Sequence, residues 1–267
     1  MKLPVPPKEL QKELFHPNTI IAAYRGSVSQ NTYLPENDPD SVDDVDLIAM
    51  YVAWPTYYIG LGDGEEGYNT TGAYEKFINE WDSVSYEAQK MFNMLLRSNP
   101  NVLPILWLRP EHYLINTFWG EALIKHRDIF SSKRAWHAFK GYADGQFKRM
   151  TAFARGENAT GLGYMGAKRK KLVERFGFDC KNASHLIRIL RMAKEMLDTG
   201  VLNVYREHDG QELIDIKKGK WSLERIQEEA NRLFVEIEIA GEKSSLPEEP
   251  DRKRAEVLLQ QIITNHI

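Results

Sequence analysis

Two continuous apolar runs stand out early in the chain. Residues 19–24 (TIIAAY) and 45–52 (VDLIAMYV) carry almost no polar interruption, which is the pattern of strands buried on both faces. The first is preceded by a short helical pattern over 8–15 and ends on Arg25-Gly26-Ser27. The second begins at Asp44 and Asp46. Between them, VSQNTYLPENDPDS is rich in Asn, Asp, Pro and Ser and has no period, so a loop is expected. Residues 60–75 are glycine-rich and suit a hairpin connection or a loop, after which KFINEWDSV reads as a third strand holding Asp82. Helical spacing then appears over 86–96, with Ser85 placed to cap it and Asn99-Pro100 to end it.

Beyond Arg109-Pro110 the pattern changes to apolar positions three and four apart. Helices are expected over 132–153, 168–176, 182–197, 222–234 and about 252–263. Residues 201–205 and 213–216 read as a small hairpin turning at Asp209-Gly210. The division expected from this change is an α/β core over 1–110 and a mainly helical region over 111–267, an α+β protein as a whole.

Composition narrows the classes. No apolar run approaches the ~18 residues that cross a bilayer, and MKLPVPPKEL lacks the apolar stretch of a signal peptide, so a cytoplasmic protein without a membrane partner is expected. One cysteine, Cys180, rules out an internal disulfide and a thiolate zinc cluster. The net charge of −3 conceals an uneven distribution. Acids crowd residues 36–46, whereas Lys168, Arg169, Lys170, Lys171 and Arg175 form a basic run. An acidic site opposite a basic wall would suit a metal and a polyphosphate.

Two aspartates at i and i+2 on a strand point to one face, so Asp44 and Asp46 can converge on a metal while Val45 faces the core. A chain of this size holds about one Asp-x-Asp by chance, and alone such a pair is more often a solvated strand end. The preceding strand and Gly26-Ser27 raise its value: a glycine lets backbone amides approach a phosphate closely, and a serine adds a hydroxyl donor.

The ordered pattern of apolar strand, GS turn, polar loop and DVDLIAMYV resembles the signature of the polymerase beta nucleotidyltransferase superfamily, in which hG[GS] is followed by Dh[DE]h. The segments HLIRIL (185–190), FKGYADGQFKRM (139–150) and YEAQKMFNMLLRSNPNVLPILWL (86–108) are similar to the predicted nucleotidyltransferases grouped with the RNA-repair-associated polymerase beta type proteins. That resemblance implies a nucleotidyltransferase catalytic core over 1–110, of α/β build, followed by a mainly helical substrate-binding region over 111–267. It implies two Mg²⁺ (or Mn²⁺) ions on Asp44 and Asp46, and Gly26 and Ser27 on the β and γ phosphates of an NTP substrate. A third carboxylate belongs on a later strand; Asp82 is the first choice, for metal binding and for the acceptor hydroxyl, and Glu87 the reserve.

Other residues have two readings each. Asp82 could instead cap the helix that follows it. Lys168 to Lys171 could attract triphosphate or RNA, or form a solvated face. Lys181, His185 and Arg188 share a helical face and could line a substrate cleft, although a histidine at such a place is commonly a bonded core residue. The aromatics at 136, 139, 142 and 147 have the spacing of a helical core rather than of a base-stacking platform. The activity expected is transfer of a nucleoside monophosphate from an NTP to an acceptor hydroxyl, with RNA, tRNA, a protein side chain or a small molecule as candidate acceptors. A toxin-type or resistance-type transferase would carry the same site, and a catalytically weak nucleotide- or RNA-binding protein is the competing class.

Overall fold

The computed structural model describes residues 3–35, 37–41, 43–59, 72–152 and 167–267. In chain order the first elements are α1 (Lys8–Leu14), β1 (Thr19–Tyr24), α2 (Gly26–Ser29), β2 (Val45–Tyr51), α3 (Pro55–Ile59), β3 (Ala73–Ile78), β4 (Trp81–Glu87), α4 (Ala88–Leu96), β5 (Tyr113–Asn116) and α5 (Phe118–Lys125). Helices follow: α6 (Arg134–Ala152), α7 (Ala167–Phe176), α8 (Cys180–Thr199), α9 (Gly210–Lys217), α10 (Leu223–Lys243) and α11 (Arg252–Thr264). The fold class is α+β, with a five-stranded mixed sheet and a mainly helical second half.

The chain divides into two compact units, each assembled from separated segments rather than from the two sides of one cut near residue 110. The sheet unit takes residues 1–29, 44–131 and 249–267; the helical unit takes 30–43 and 132–248.

In the sheet unit the strand order is β3-β4-β2-β1-β5. Strand β1 is antiparallel to β2 and β5, β2 is parallel to β4, and β3 is antiparallel to β4. The inner strands β1 and β2 are the two apolar runs, and both are buried almost throughout, which is why they lack the alternation of a sheet with one wet face. Two expectations are corrected here. The stretch taken as one strand is a hairpin, β3 and β4, turned at Asn79, whose φ of 54° is the left-handed conformation asparagine tolerates. Helix α4 begins two residues later than its spacing suggested; Ser85 lies within β4, and Glu87 is the cap, its carboxylate accepting from the Lys90 amide.

In the helical unit α8 is buried on nearly every side, because α6, α9 and α10 all pack on it. Asp179 caps its start by accepting from the Asn182 amide, and Gly200, at φ 75°, ends it in the left-handed conformation. The expected hairpin at 201–216 is not formed. Leu213, Ile216 and Lys217 are buried at helical spacing along α9, and Asp209-Gly210 opens that helix instead of turning a hairpin. Helix α10 runs to Lys243, well past the expected end at 234. Ser184 Oγ on α8 donates to the Leu213 carbonyl at 2.8 Å, joining α8 to α9.

The acidic segment 30–43 is docked on this unit by its own carboxylates. Asp38 pairs with Lys218 at 2.5 Å, Asp40 with Arg175 at 3.2 Å, and Asp43 with Lys217 at 2.8 Å and Lys181 at 3.4 Å. The run of acids expected to form one site is therefore divided: Asp38, Asp40 and Asp43 meet basic residues of the helical unit, and Asp44 and Asp46 belong to the sheet unit.

Candidate active site

The parallel register of β2 and β4 sets Asp46 directly beside Asp82, followed by the pairs Ile48–Val84 and Met50–Tyr86 on the same face. The neighbouring face of these strands carries Val45, Leu47, Trp81 and Ser83, all buried. Two carboxylates thus stand side by side where an apolar sheet meets solvent. Strand β1 runs antiparallel to β2 and ends at Tyr24, opposite Leu47; the Arg25 amide then donates to the Asp46 carbonyl at 2.9 Å. That extra bond turns the Arg25 side chain to the carboxylate face. Its Nη2 lies 3.6 Å from Asp46 Oδ1 and 3.6 Å from Asp82 Oδ2, so one guanidinium bridges both acids. Arg25 was not among the expected site residues, although its position immediately before Gly26-Ser27 is the signal that could have found it.

Gly26 opens the four-residue helix α2 at φ 63°. The backbone angle favours glycine, and a Cβ placed there would lie 2.5 Å from Asp46 Oδ2, closer than such atoms approach, so any side chain would displace the Asp46 carboxylate. Ser27 follows and is buried, and Ser29 Oγ donates to the Gly26 carbonyl at 3.1 Å. Asp44 sits one residue before β2 and is exposed. Gly26, Asp46, Asp82 and Arg25 are brought together directly; Ser27 and Asp44 adjoin them along the chain.

Glu87, the reserve carboxylate, lies at the far end of β4, fully buried. It accepts a short hydrogen bond from the Tyr58 hydroxyl as well as the capping bond from Lys90. Burial raises its pKa above the usual carboxylate value, against the lowering effect of the bonds from Tyr58 and from the amides of Gln89, Lys90 and Ala88. Its lone pairs are occupied in holding α3 and the start of α4.

The expected nucleotide-binding residues Lys168, Lys181 and His185 belong to the helical unit. Lys168 lies in α7, with its side chain outside the described residues; the acids at 63, 65 and 66 also fall outside them. Lys181 pairs with Asp43. Burial pushes the Asp43 carboxyl up, but the charges of Lys217 and Lys181, with hydrogen bonds from Lys217 and the Leu34 amide, outweigh it and hold it below its ordinary value. His185 has its Nδ1 3.0 Å from Arg188 Nη2 and its ring beside Tyr142. Burial, and then the cations Arg188, Lys181, Arg169 and Lys217, press its pKa well below the ordinary histidine value, so it is neutral at pH 7. Phe139 is fully buried, the core role its spacing suggested, while Phe147 is half-buried and meets Phe234 edge-on.

Paired aspartates on two inner strands beside a glycine-serine turn suit the resemblance to the polymerase beta type nucleotidyltransferases. The family model described as the RNA repair pathway DNA polymerase beta family matches residues 37–261, and the chain belongs to that family. The match takes in Asp44, Asp46, Asp82, Lys168, Lys181 and His185, and begins after Gly26 and Ser27. Among solved structures, a nucleotidyltransferase-like protein from Exiguobacterium sibiricum is a weak likeness: 12% identical, with a TM-score of 0.30, over 88% of this chain and 73% of that one. No curated protein sequence matches the chain. Among the described residues no helix is long and apolar enough to cross a membrane.

Proposed function

We propose that the chain transfers a nucleoside monophosphate from an NTP to an acceptor hydroxyl, with RNA as the leading acceptor, using Mg²⁺ or Mn²⁺. The observation that carries this reading is the Asp46–Asp82 register pair, set against the glycine at 26 and sharing one guanidinium. Magnesium is commonly held by one or two carboxylates, with water and substrate phosphates completing its shell. An all-oxygen pair that already accommodates a positive charge fits that requirement. Among the described residues no three His, Cys, Asp or Glu side chains form a ready-made metal cluster, so substrate oxygens would have to supply the remaining ligands.

In this reading Asp46 and Asp82 hold the metal ions, with Asp44 contributing from the end of its strand, and Gly26 and Ser27 receive the terminal phosphates. The metals would neutralise charge on the attacking and leaving oxygens. Asp82 accepts the proton of the acceptor hydroxyl as its oxygen bonds to the α-phosphorus. The bond from that phosphorus to the bridging oxygen breaks, and pyrophosphate leaves with the electron pair. The family's description as an RNA repair pathway group supports RNA as the acceptor class.

The test is incubation of the purified chain with each α-labelled NTP, Mg²⁺ or Mn²⁺, total RNA and protein extract, followed by separation of the labelled products. Label should appear in RNA, and Asp46→Asn and Asp82→Asn should each lower its rate about 100-fold or more while leaving the folded chain intact by circular dichroism. Wild-type rates in both variants, or no labelled product with either metal, would defeat the proposal.

A further inference from the structure

We propose that Arg188 and His185, adjacent on α8 of the helical unit, form a binding site for a phosphate-class oxyanion. Arg188 is 4% exposed. Its hydrogen-bonding neighbours are both uncharged: Nη1 donates to the Met192 sulfur at 3.0 Å, and Nη2 lies 3.0 Å from His185 Nδ1. Among the described residues no carboxylate is ion-paired with it. The contrast with its surroundings is sharp, since Arg169 is bonded to Asp179, Lys217 to Asp43, and Arg206 to Glu195 and Asp209. The charge of Asp209 acts on it only from beyond ion-pairing distance, and a guanidinium taken out of water without a paired anion is strongly disfavoured, so that proteins ordinarily supply one for it.

A second donor points to the same missing partner. An arginine can only donate, so His185 Nδ1 is the acceptor in their bond, and the proton of the neutral ring resides on Nε2. That Nε2 is buried and has no hydrogen-bond partner. His185 Nε2 therefore lacks an acceptor, and the buried cation beside it lacks a paired carboxylate. Arginine's planar fork matches carboxylate and phosphate oxygens alike. The choice between them follows from the local field. Arg188, Lys181, Arg169 and Lys217 all act on His185 as positive charges. Lys181 and Lys217 share the one carboxylate of Asp43, Arg169 has Asp179, and Arg188 has none, so among the described residues these four cations meet two acids and the excess favours the greater charge of phosphate. The site needs no metal, and it does not rest on the transferase reading.

The experiment uses the intact chain, without divalent metal, in a buffer free of oxyanions. Thermal melting and calorimetry are followed as inorganic phosphate is added, against chloride at equal ionic strength. A saturable rise in melting temperature is expected for the wild-type chain. In Arg188→Met, which keeps volume and removes charge, the phosphate-dependent rise should vanish while melting in chloride stays level or increases. His185→Gln, which keeps a donor, should bind about 10- to 100-fold more tightly than His185→Leu. Competition of bound phosphate by a non-hydrolysable NTP analogue, or by a 5′-phosphorylated but not a 5′-hydroxyl oligoribonucleotide, then identifies the molecule that carries the phosphate. The proposal is overturned if phosphate acts no differently from chloride. It is also overturned if folded Arg188→Met keeps the wild-type response, or, should that variant not fold, if His185→Leu keeps it.

Discussion

Position 26 has no side chain, and that absence governs where the Asp46 carboxylate can stand. With its φ of 63° and a hypothetical Cβ 2.5 Å from Asp46 Oδ2, the site resists any other residue. Gly26→Ala should lower stability by about 1–2 kcal/mol from the left-handed backbone alone, and should also displace Asp46. Chemical denaturation measures the first effect, and Mn²⁺ binding by the folded variant measures the second. Binding equal to wild type would show that Asp46 can give way without losing its role. Individual residues were unevenly legible. Asp46 and Gly26 could be found because a strand and a tight turn leave local marks in sequence. The bridge from Arg25 to both carboxylates could not, since it depends on which strands become neighbours. Asp43 and Asp44 look equivalent in sequence, yet one is buried against two lysines and the other is exposed.

At the scale of elements, the boundary between β4 and α4 rests on Glu87, which ends the strand, caps the helix and accepts from Tyr58. Its folded pKa is raised above the unfolded value of 4.5, so its stabilising contribution is complete below that pH and is lost as pH rises through the folded value. Glu87→Gln should remove this dependence: the wild-type chain should lose stability relative to the variant across the interval starting near pH 4.5, as read from paired urea melts at a series of pH values. A constant difference between the two would show that Glu87 keeps its unfolded proton affinity. Strands buried on both faces and long amphipathic helices were readable from their periodicity. The β3–β4 hairpin and α9 were misread because Asn79-Glu80 lacks the glycine of a usual tight turn, while Asp209-Gly210 has one and starts a helix. In both places the competing local signal was stronger than the correct one, and packing decided the outcome.

Across the whole molecule the chain passes between its two units four times, at 29–30, 43–44, 131–132 and 248–249. No periodicity announces such crossings; they follow from pairings distant in sequence, such as Lys217 with Asp43 and Asp251 with Ile129. They also give the fold a mechanical character. A tether pulling Leu3 away from Ile267 loads only the sheet unit at first, because both points lie in it. Once β1 and α11 are drawn out, the load passes to residues 30 and 248, both in the helical unit, and the remaining strands over 44–131 hang from that unit outside the path of force. Under optical tweezers the first extension should therefore correspond to the two end segments alone, on the order of 150 Å, with the rest of the sheet's contour appearing only after the helical unit gives way. A first step of several times that length would mean that the strands do not wait. With the shorter first step, the segments carrying Asp44, Asp46 and Asp82 stay free of tension until the helical unit unfolds.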